Sequence, residues 1–172
     1  TDSLTIDRTT TLRAAAFKDD HVPSHIETQT YIFVDDVIAG LPNKFITEHA
    51  FWGPQVRNSL LSVPTISIVT QTEIREDTIL QEIPISIEFM TPDGSGGFQV
   101  NAGLEHFGGG ALTAPKKSMR VSFKGIYGES QLEYDIFGNG ATMEFDQFLL
   151  RAGSQDRSSW GGGSYVRNRW AF

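Results

Sequence analysis

IPISIEFMTPDGSGGFQVNAGLEHF, residues 83–107, is the stretch that decides the fold. Its first part alternates with the period of two that is typical of a β-strand, and the apolar positions are Ile83, Ile85, Ile87 and Phe89. The segment TPDGSGG then has the composition of a tight turn, and the alternation resumes at Phe98, Val100, Ala102 and Leu104. Two alternating runs around such a turn predict a β-hairpin.

A third strand is predicted in KKSMRVSFKG, residues 116–125, where the apolar face is Met119, Val121 and Phe123. Further strands are predicted in TTTLRAAA (9–16), QTYIF (29–33), TISIVT (65–70) and EFDQFLLRAG (144–153), the last as a buried strand. WGPQVRNSLLSVP (52–64) predicts a short helix with Pro54 at its start and Pro64 beyond its end. Residues 35–51 have little periodicity and are predicted to be a linker. The predicted fold class is therefore mainly β, with antiparallel sheets and one or two short helices.

Composition limits the function classes. The chain has 172 residues, of which 39% are hydrophobic, so it can bury a sizeable core. Its net charge of −7 argues against nucleic acid as a partner, because nucleic-acid binders present a basic face. The absence of cysteine excludes disulfides, thiolate metal sites and cysteine nucleophiles. No apolar run approaches the ~18 residues that a membrane span needs, so no span is predicted.

The glycine-rich loop FGGGALTAPKKSMR, residues 107–120, is the main candidate site. Its backbone could approach a phosphate closely, yet its spacing fits neither GxGxxG nor GxxxxGK[ST], and a strand rather than a helix follows. A plain connection between strands is the alternative reading. Alternation predicts that Lys117 points toward the core, where it needs a carboxylate, a phosphate or an exit to the edge. The candidate anion-binding residues are Gly108, Gly109, Gly110, Lys116, Lys117 and Arg120.

The sequence patterns for other kinds of functional site are weaker, and no catalytic or metal-binding residue is predicted. DDHVPSH, residues 19–25, has crude ligand spacing but reads as a turn. Glu144 and Asp146 lie two apart on a predicted strand, where a solvated face is the default. The large aromatic residues could instead form a sugar-stacking platform, although most such residues belong to a core; they are Trp52, Tyr127, Tyr134, Trp160 and Trp170.

Several motifs together resemble the CotH family of spore-coat-type and related surface proteins, which have an atypical kinase-like fold. The resemblance covers roughly residues 63–156 and rests on PDGSGGFQVNAG, the glycine loop, PKKSMRVSF, LEYDIFG and LLRAGSQD, in this order. It implies an N-lobe-like sheet in an intact α+β parent, with ATP and Mg²⁺ as cofactors of that parent if it is active and no cofactor expected for this chain alone. Glu105 departs from the family, which commonly has Arg near this position, and Ala111 and Leu112 replace a Ser-Arg pair.

A second resemblance precedes the first. TIDRTTTLRAAAFKDDHVPSHIETQTYIF, residues 5–33, is similar to the last strands of the β-sandwich module at the C-terminus of chitobiases and β-hexosaminidases. The predicted organisation is therefore the end of such a module in residues 1–34, a linker with a short helix in 35–62, and a truncated CotH-like region in 63–172.

These resemblances imply a fragment of a secreted or cell-surface, multidomain bacterial protein. Its parent would be an atypical protein kinase or a kinase-like surface protein acting on a protein substrate. The chain alone is expected to be inactive, because the catalytic aspartates of the family would lie beyond it. The alternative is a non-enzymatic extracellular module with a carbohydrate-binding, structural or adhesion role, whose partner would be a surface glycan.

Overall fold

A computed structural model describes residues 3–41, 44–74, 80–108, 117–140 and 142–152. Within these residues the chain is mainly β with antiparallel sheets, which confirms the predicted fold class. Two short helices accompany the strands, α1 (Val34–Gly40) and α2 (Gly53–Leu61). The strands are β1 (Thr10–Ala14), β2 (Glu27–Tyr31), β3 (Thr65–Val69), β4 (Ile83–Met90), β5 (Gly97–His106), β6 (Met119–Ser122), β7 (Leu132–Glu133), β8 (Glu144–Phe145) and β9 (Gln147–Leu150).

The strands form one sheet in the order β3-β4-β5-β6-β9 and two small sheets, β1-β2 and β7-β8. Contacts divide the chain into two units. The first unit takes the residues up to Val69 together with Ser86–Gln99, and the second takes Thr70–Ile85 and the residues from Val100 onward. The domain boundaries predicted at residues 34 and 62 stay a prediction.

In the first unit, polar side chains connect the β1–β2 hairpin to strands β3 and β4. The Thr30 and Ser67 hydroxyls hydrogen-bond at 2.9 Å, and the Gln29 amide donates to Glu88 Oε1 at 3.2 Å. The alternation of β4 predicted a separate polar face, but Ser86 and Glu88 are only 2% and 4% exposed. Both faces of this part of β4 are therefore buried. This is possible because a strand pairs with its neighbours along its edges, so that other parts of the chain can pack on each of its faces.

The two helices also belong to the first unit. Helix α2 starts with Pro54 in its first turn, as predicted. Helix α1 was missed, because residues 35–51 were predicted to be a linker. It has only seven residues and no side-chain N-cap, so periodicity and capping gave little signal. The Lys44 ammonium caps its C-terminal end by donating to the Ile38 carbonyl at 3.2 Å.

The turn between β4 and β5 confirms the predicted hairpin. Gly94 and Gly97 have φ values of 68° and 150°, on the side of the Ramachandran map that favours glycine. The Asp93 carboxylate accepts from the Thr91 and Ser95 hydroxyls, both at 2.7 Å, and from the Ser95 N–H at 3.1 Å. Side-chain bonds of this kind fix a local turn without a tertiary partner.

The core of the second unit lies on one face of β5, β6 and β9. Strands β5 and β6 contribute the buried residues Ala102, Leu104 and Val121, and the Phe123 and Phe148 rings lie 5.6 Å apart. The prediction of a buried strand in residues 144–153 was only partly right. Two strands form there, and β9 alternates between exposed and half-buried positions because it is the last strand of its sheet and has one covered face.

A second feature of this unit is an ionic bridge over Gly103. The Glu82 carboxylate accepts from Lys124 Nζ at 2.8 and 2.7 Å and from the Tyr127 hydroxyl at 2.8 Å. Gly103 permits this arrangement, because a Cβ there would lie 2.5 Å from Glu82 Cδ. The bridge joins the chain before β4 to the chain after β6.

Candidate functional site

The candidate site lies at the end of the β5–β6 hairpin. In the register of these strands His106 is opposite Met119, and Glu105 is opposite Arg120. One residue further on, the Phe107 N–H donates to the Ser118 carbonyl at 2.9 Å. The chain therefore leaves the sheet and re-enters it at neighbouring positions, so the two ends of the glycine loop lie side by side.

Gly108 opens this loop with a φ of 100°, which a residue with a Cβ rarely adopts. Lys117 lies at the other end of the loop and is half-buried. Because β6 begins at Met119, Lys117 lies ahead of the strand whose alternation was used to predict its direction. Gly109, Gly110 and Lys116, together with the rest of 109–116, lie outside the described residues.

Arg120 is held by a carboxylate, that of Glu105, which is not among the predicted anion-binding residues. Its Nε donates to Glu105 Oε1 at 2.8 Å, and its Nη2 donates to the same oxygen. These bonds engage two of the five guanidinium N–H donors. The guanidinium carbon also lies 5.8 Å from the centroid of the Phe107 ring, within cation–π range. The pairing of Glu105 with Arg120 follows from the register of β5 and β6, which alternation alone does not set because it also depends on the turn type and length of the loop.

The electrostatics of the site follow from this pair. The Arg120 and Glu105 side chains are 35% and 21% exposed, so solvent screens their attraction only in part. An incoming anion would meet Arg120 beside a negative charge and would have to compete with Glu105. The site can therefore bind a phosphate group only where the loop backbone and Lys117 add to what Arg120 offers.

The Glu82 bridge is a second titratable cluster that sequence reasoning missed, since its members are separated by some forty residues in loops. Burial alone would raise the pKa of Glu82, but hydrogen bonds from Lys124 and Tyr127, the charge of Lys124 and a bond with Ser122 hold it below its usual value. Burial, followed by the bond to Glu82 and the charges of Glu82 and Glu105, raises the pKa of Tyr127 to about 12.

The remaining predicted candidates do not form a site among the described residues. Glu144 and Asp146 are both exposed, as a solvated face requires. Within the part of the chain that the structure describes, no group of three or more histidines and carboxylates could hold a metal ion. Trp52 belongs to the first unit and Tyr127 to the second, while Trp160 and Trp170 lie outside the described residues.

Comparison of the chain with family models, with curated proteins and with solved structures gave no match. Neither of the described helices has the length and apolar character needed to cross a membrane.

Proposed function

We propose that this chain provides the phosphate-facing sheet of a CotH-like, kinase-like protein that is secreted or displayed at the cell surface. One observation carries the proposal: the β5–β6 hairpin brings Gly108, Lys117 and Arg120 to one end of a sheet. Backbone N–H groups at a glycine loop, joined by a lysine and an arginine, are the donors that bind phosphate groups. The family assignment and the location outside the cell rest on the resemblance in sequence.

The two implied cofactors fit this site unequally. A nucleotide phosphate suits Lys117 and the Arg120 donors that Glu105 does not engage. Mg²⁺ needs several oxygen ligands, and within the described residues there is no group of three or more carboxylates and histidines that could supply them. We therefore assign nucleotide binding to this chain and propose no transfer step for it, because phosphoryl transfer also needs metal-binding carboxylates and a catalytic aspartate.

A titration of the full chain with a fluorescent ATP analogue tests the proposal. Lys117→Ala and Arg120→Ala are each expected to weaken binding at least tenfold, since a charge-assisted hydrogen bond contributes roughly 1.5–3 kcal/mol. Lys18→Ala and Arg13→Ala are matched controls, because they remove the same charges from exposed positions near β1. Equal affinities in all four variants, or no saturable binding by the wild type, would reject the phosphate site.

A second candidate function is favoured by an exposed aromatic cluster at the start of α2. The Phe51 and Trp52 rings meet edge to face with centroids 4.6 Å apart, and the His49 ring lies 6.1 Å from Trp52 and 5.9 Å from Phe45. Phe51 is 62% exposed and Trp52 is 49% exposed. We call Phe45, His49, Phe51 and Trp52 the aromatic cluster. Exposed rings of this kind stack on sugars, which supports the non-enzymatic reading of a glycan-binding module.

Co-sedimentation with insoluble polysaccharides separates this second function from the first. Trp52→Ala is expected to abolish retention on the polysaccharide without changing nucleotide affinity. Phe137→Ala is the control, because Phe137 is an exposed aromatic residue outside the aromatic cluster. Equal retention of the wild type and Trp52→Ala would remove the glycan-binding function.

A further inference from the structure

A cleft of about 510 Å³ lies in the first unit, along β2 and the turn that joins β4 to β5. This volume is within the range of small-molecule sites, which is roughly 300–1,000 Å³. Apolar side chains line part of the cleft, among them Ile32, Met90 and Phe98. The polar lining comes from Gln29, Glu88 and Gln99. The combination of apolar walls with a few polar groups is typical of a ligand site.

Glu88 is the unusual member of this lining. Its side chain is buried, and its Oε1 accepts from Gln29 Nε2 at 3.2 Å. Its second oxygen, Oε2, is shielded from solvent and has no hydrogen-bond partner among the described residues. A carboxylate oxygen in this position is costly, since burial removes its water and the protein supplies no donor in exchange.

The neighbouring polar groups are engaged with one another rather than with Glu88. Gln99 Nε2 donates to the Ser86 hydroxyl at 2.8 Å. Ser67, which lies opposite Glu88 in the β3–β4 register, bonds to the Thr30 hydroxyl at 2.9 Å. None of these bonds reaches Oε2, which has no donor among the described residues, so a ligand in the cleft can supply one.

We propose that this cleft binds a compact organic cation, with an ammonium or guanidinium group paired to Glu88 and a short apolar stem along the cleft wall. Glu88 lines the cleft, and the terminal torsion of a glutamate is soft, so rotation about it can present Oε2 to a bound cation. A cation is favoured over a neutral donor, because it compensates both the hydrogen bond and the buried charge. A metal ion fits less well, since Glu88 is the one carboxylate in the lining.

Isothermal titration of the full chain with butylguanidinium tests this inference, which does not rest on the proposed phosphate site. Saturable binding is expected, with amide NMR shifts concentrated in residues 88–99. Butylurea is the matched neutral ligand, because it has the same stem and nearly the same shape without the charge. It is expected to bind at least tenfold more weakly. Equal binding of the two ligands, or no saturable binding of butylguanidinium, would overturn the proposal with wild-type protein alone.

A variant pair assigns the binding to the carboxylate. Glu88→Gln is expected to weaken butylguanidinium binding at least tenfold and to leave butylurea binding unchanged. Glu48→Gln is the control, since it removes the same charge from an exposed position of the same unit. Unchanged affinity in a folded Glu88→Gln protein would contradict the role of Glu88. The tripeptide Gly-Arg-Gly identifies the source of the cation, because tighter binding than butylguanidinium would indicate a peptide-borne side chain.

Discussion

Gly103→Ala is expected to break the Glu82 bridge of the second unit. A Cβ at this position would lie 2.5 Å from Glu82 Cδ and 2.7 Å from both Cγ and Oε1. These atoms belong to the far end of a flexible side chain, so Glu82 can move aside and little steric strain remains. What is lost is the position from which its carboxylate accepts hydrogen bonds from Lys124 and Tyr127.

The magnitude follows from the two partners. The Tyr127 hydroxyl bond to a carboxylate contributes roughly 1.5–3 kcal/mol. The Lys124 side chain is 51% exposed, so its ion pair with Glu82 contributes only about 0–1 kcal/mol. We therefore expect Gly103→Ala to lower the free energy of unfolding by about 2–3 kcal/mol, which lowers Tm by roughly 5–10 °C for a chain of this size.

Tyrosine absorbance during a pH titration gives an independent assay of the same change. In the wild type the raised pKa of Tyr127, about 12, means that the folded state holds this proton more tightly than the unfolded state does. The stabilisation is fully present below about pH 10 and is lost as the pH rises toward about 12. In Gly103→Ala the pKa of Tyr127 should fall toward that of an ordinary tyrosine, and the loss of stability at high pH should shrink with it.

Gly125→Ala is the matched control, since a Cβ at Gly125 would have no heavy atom within 4 Å. Its Tm and its tyrosine titration are expected to equal those of the wild type. The reasoning is refuted if Gly103→Ala melts with the wild type and keeps a tyrosine that titrates near pH 12. That result would mean that Glu82 does not lie over Gly103.

Three further changes test the hairpin and the core. Gly97→Ala should prevent the β4–β5 hairpin from closing and lower Tm by more than 10 °C, because its Cβ would lie 1.9 Å from the Phe89 carbonyl oxygen at a φ of 150°. Hydrogen bonds, of which that from the Ser95 hydroxyl has the largest effect, lower the pKa of Asp93 to about 2. An NMR titration should find the Asp93 carboxyl with this pKa. The stabilisation of the turn should be present above about pH 4 and lost as the pH falls toward 2. Leu104→Ala removes a side chain with 0% exposure, so denaturant unfolding should show a loss of about 2–5 kcal/mol.

The sequence predicted the strands well where a local pattern carried the information. The β4–β5 hairpin needs only alternation and a glycine-rich turn, and both lie within 25 consecutive residues. The same pattern failed on the second face of β4, because the burial of Glu88 depends on Gln29 and its neighbours, far away in sequence. Period-two alternation states which side chains share a face, and what covers that face is decided by tertiary contacts.

The candidate site was likewise predictable only where local sequence carried the information. The loop could be found from its glycines, and its closure between Phe107 and Ser118 follows from the hairpin. The partner of Arg120 needed the strand register in addition to the motif. The Glu82 bridge had no sequence signal, because its three side chains lie in loops whose paths are set by packing. Helix α1 was missed for a different reason, since seven residues are too few for a clear helical period.

The Glu105 carboxylate competes with any anion that binds to Arg120 at the end of the β5–β6 hairpin. Its pair with Arg120 is partly exposed, so separating the two charges costs about 1 kcal/mol. If a phosphate binds here, Glu105→Gln removes a competing charge and should raise nucleotide affinity roughly fivefold, since about 1 kcal/mol corresponds to that factor. If the pair is only structural, the same change lowers stability slightly and leaves nucleotide affinity unchanged. Glu133→Gln controls for net charge at an exposed position, and the direction of the affinity change in Glu105→Gln distinguishes an anion site from a cross-strand ion pair.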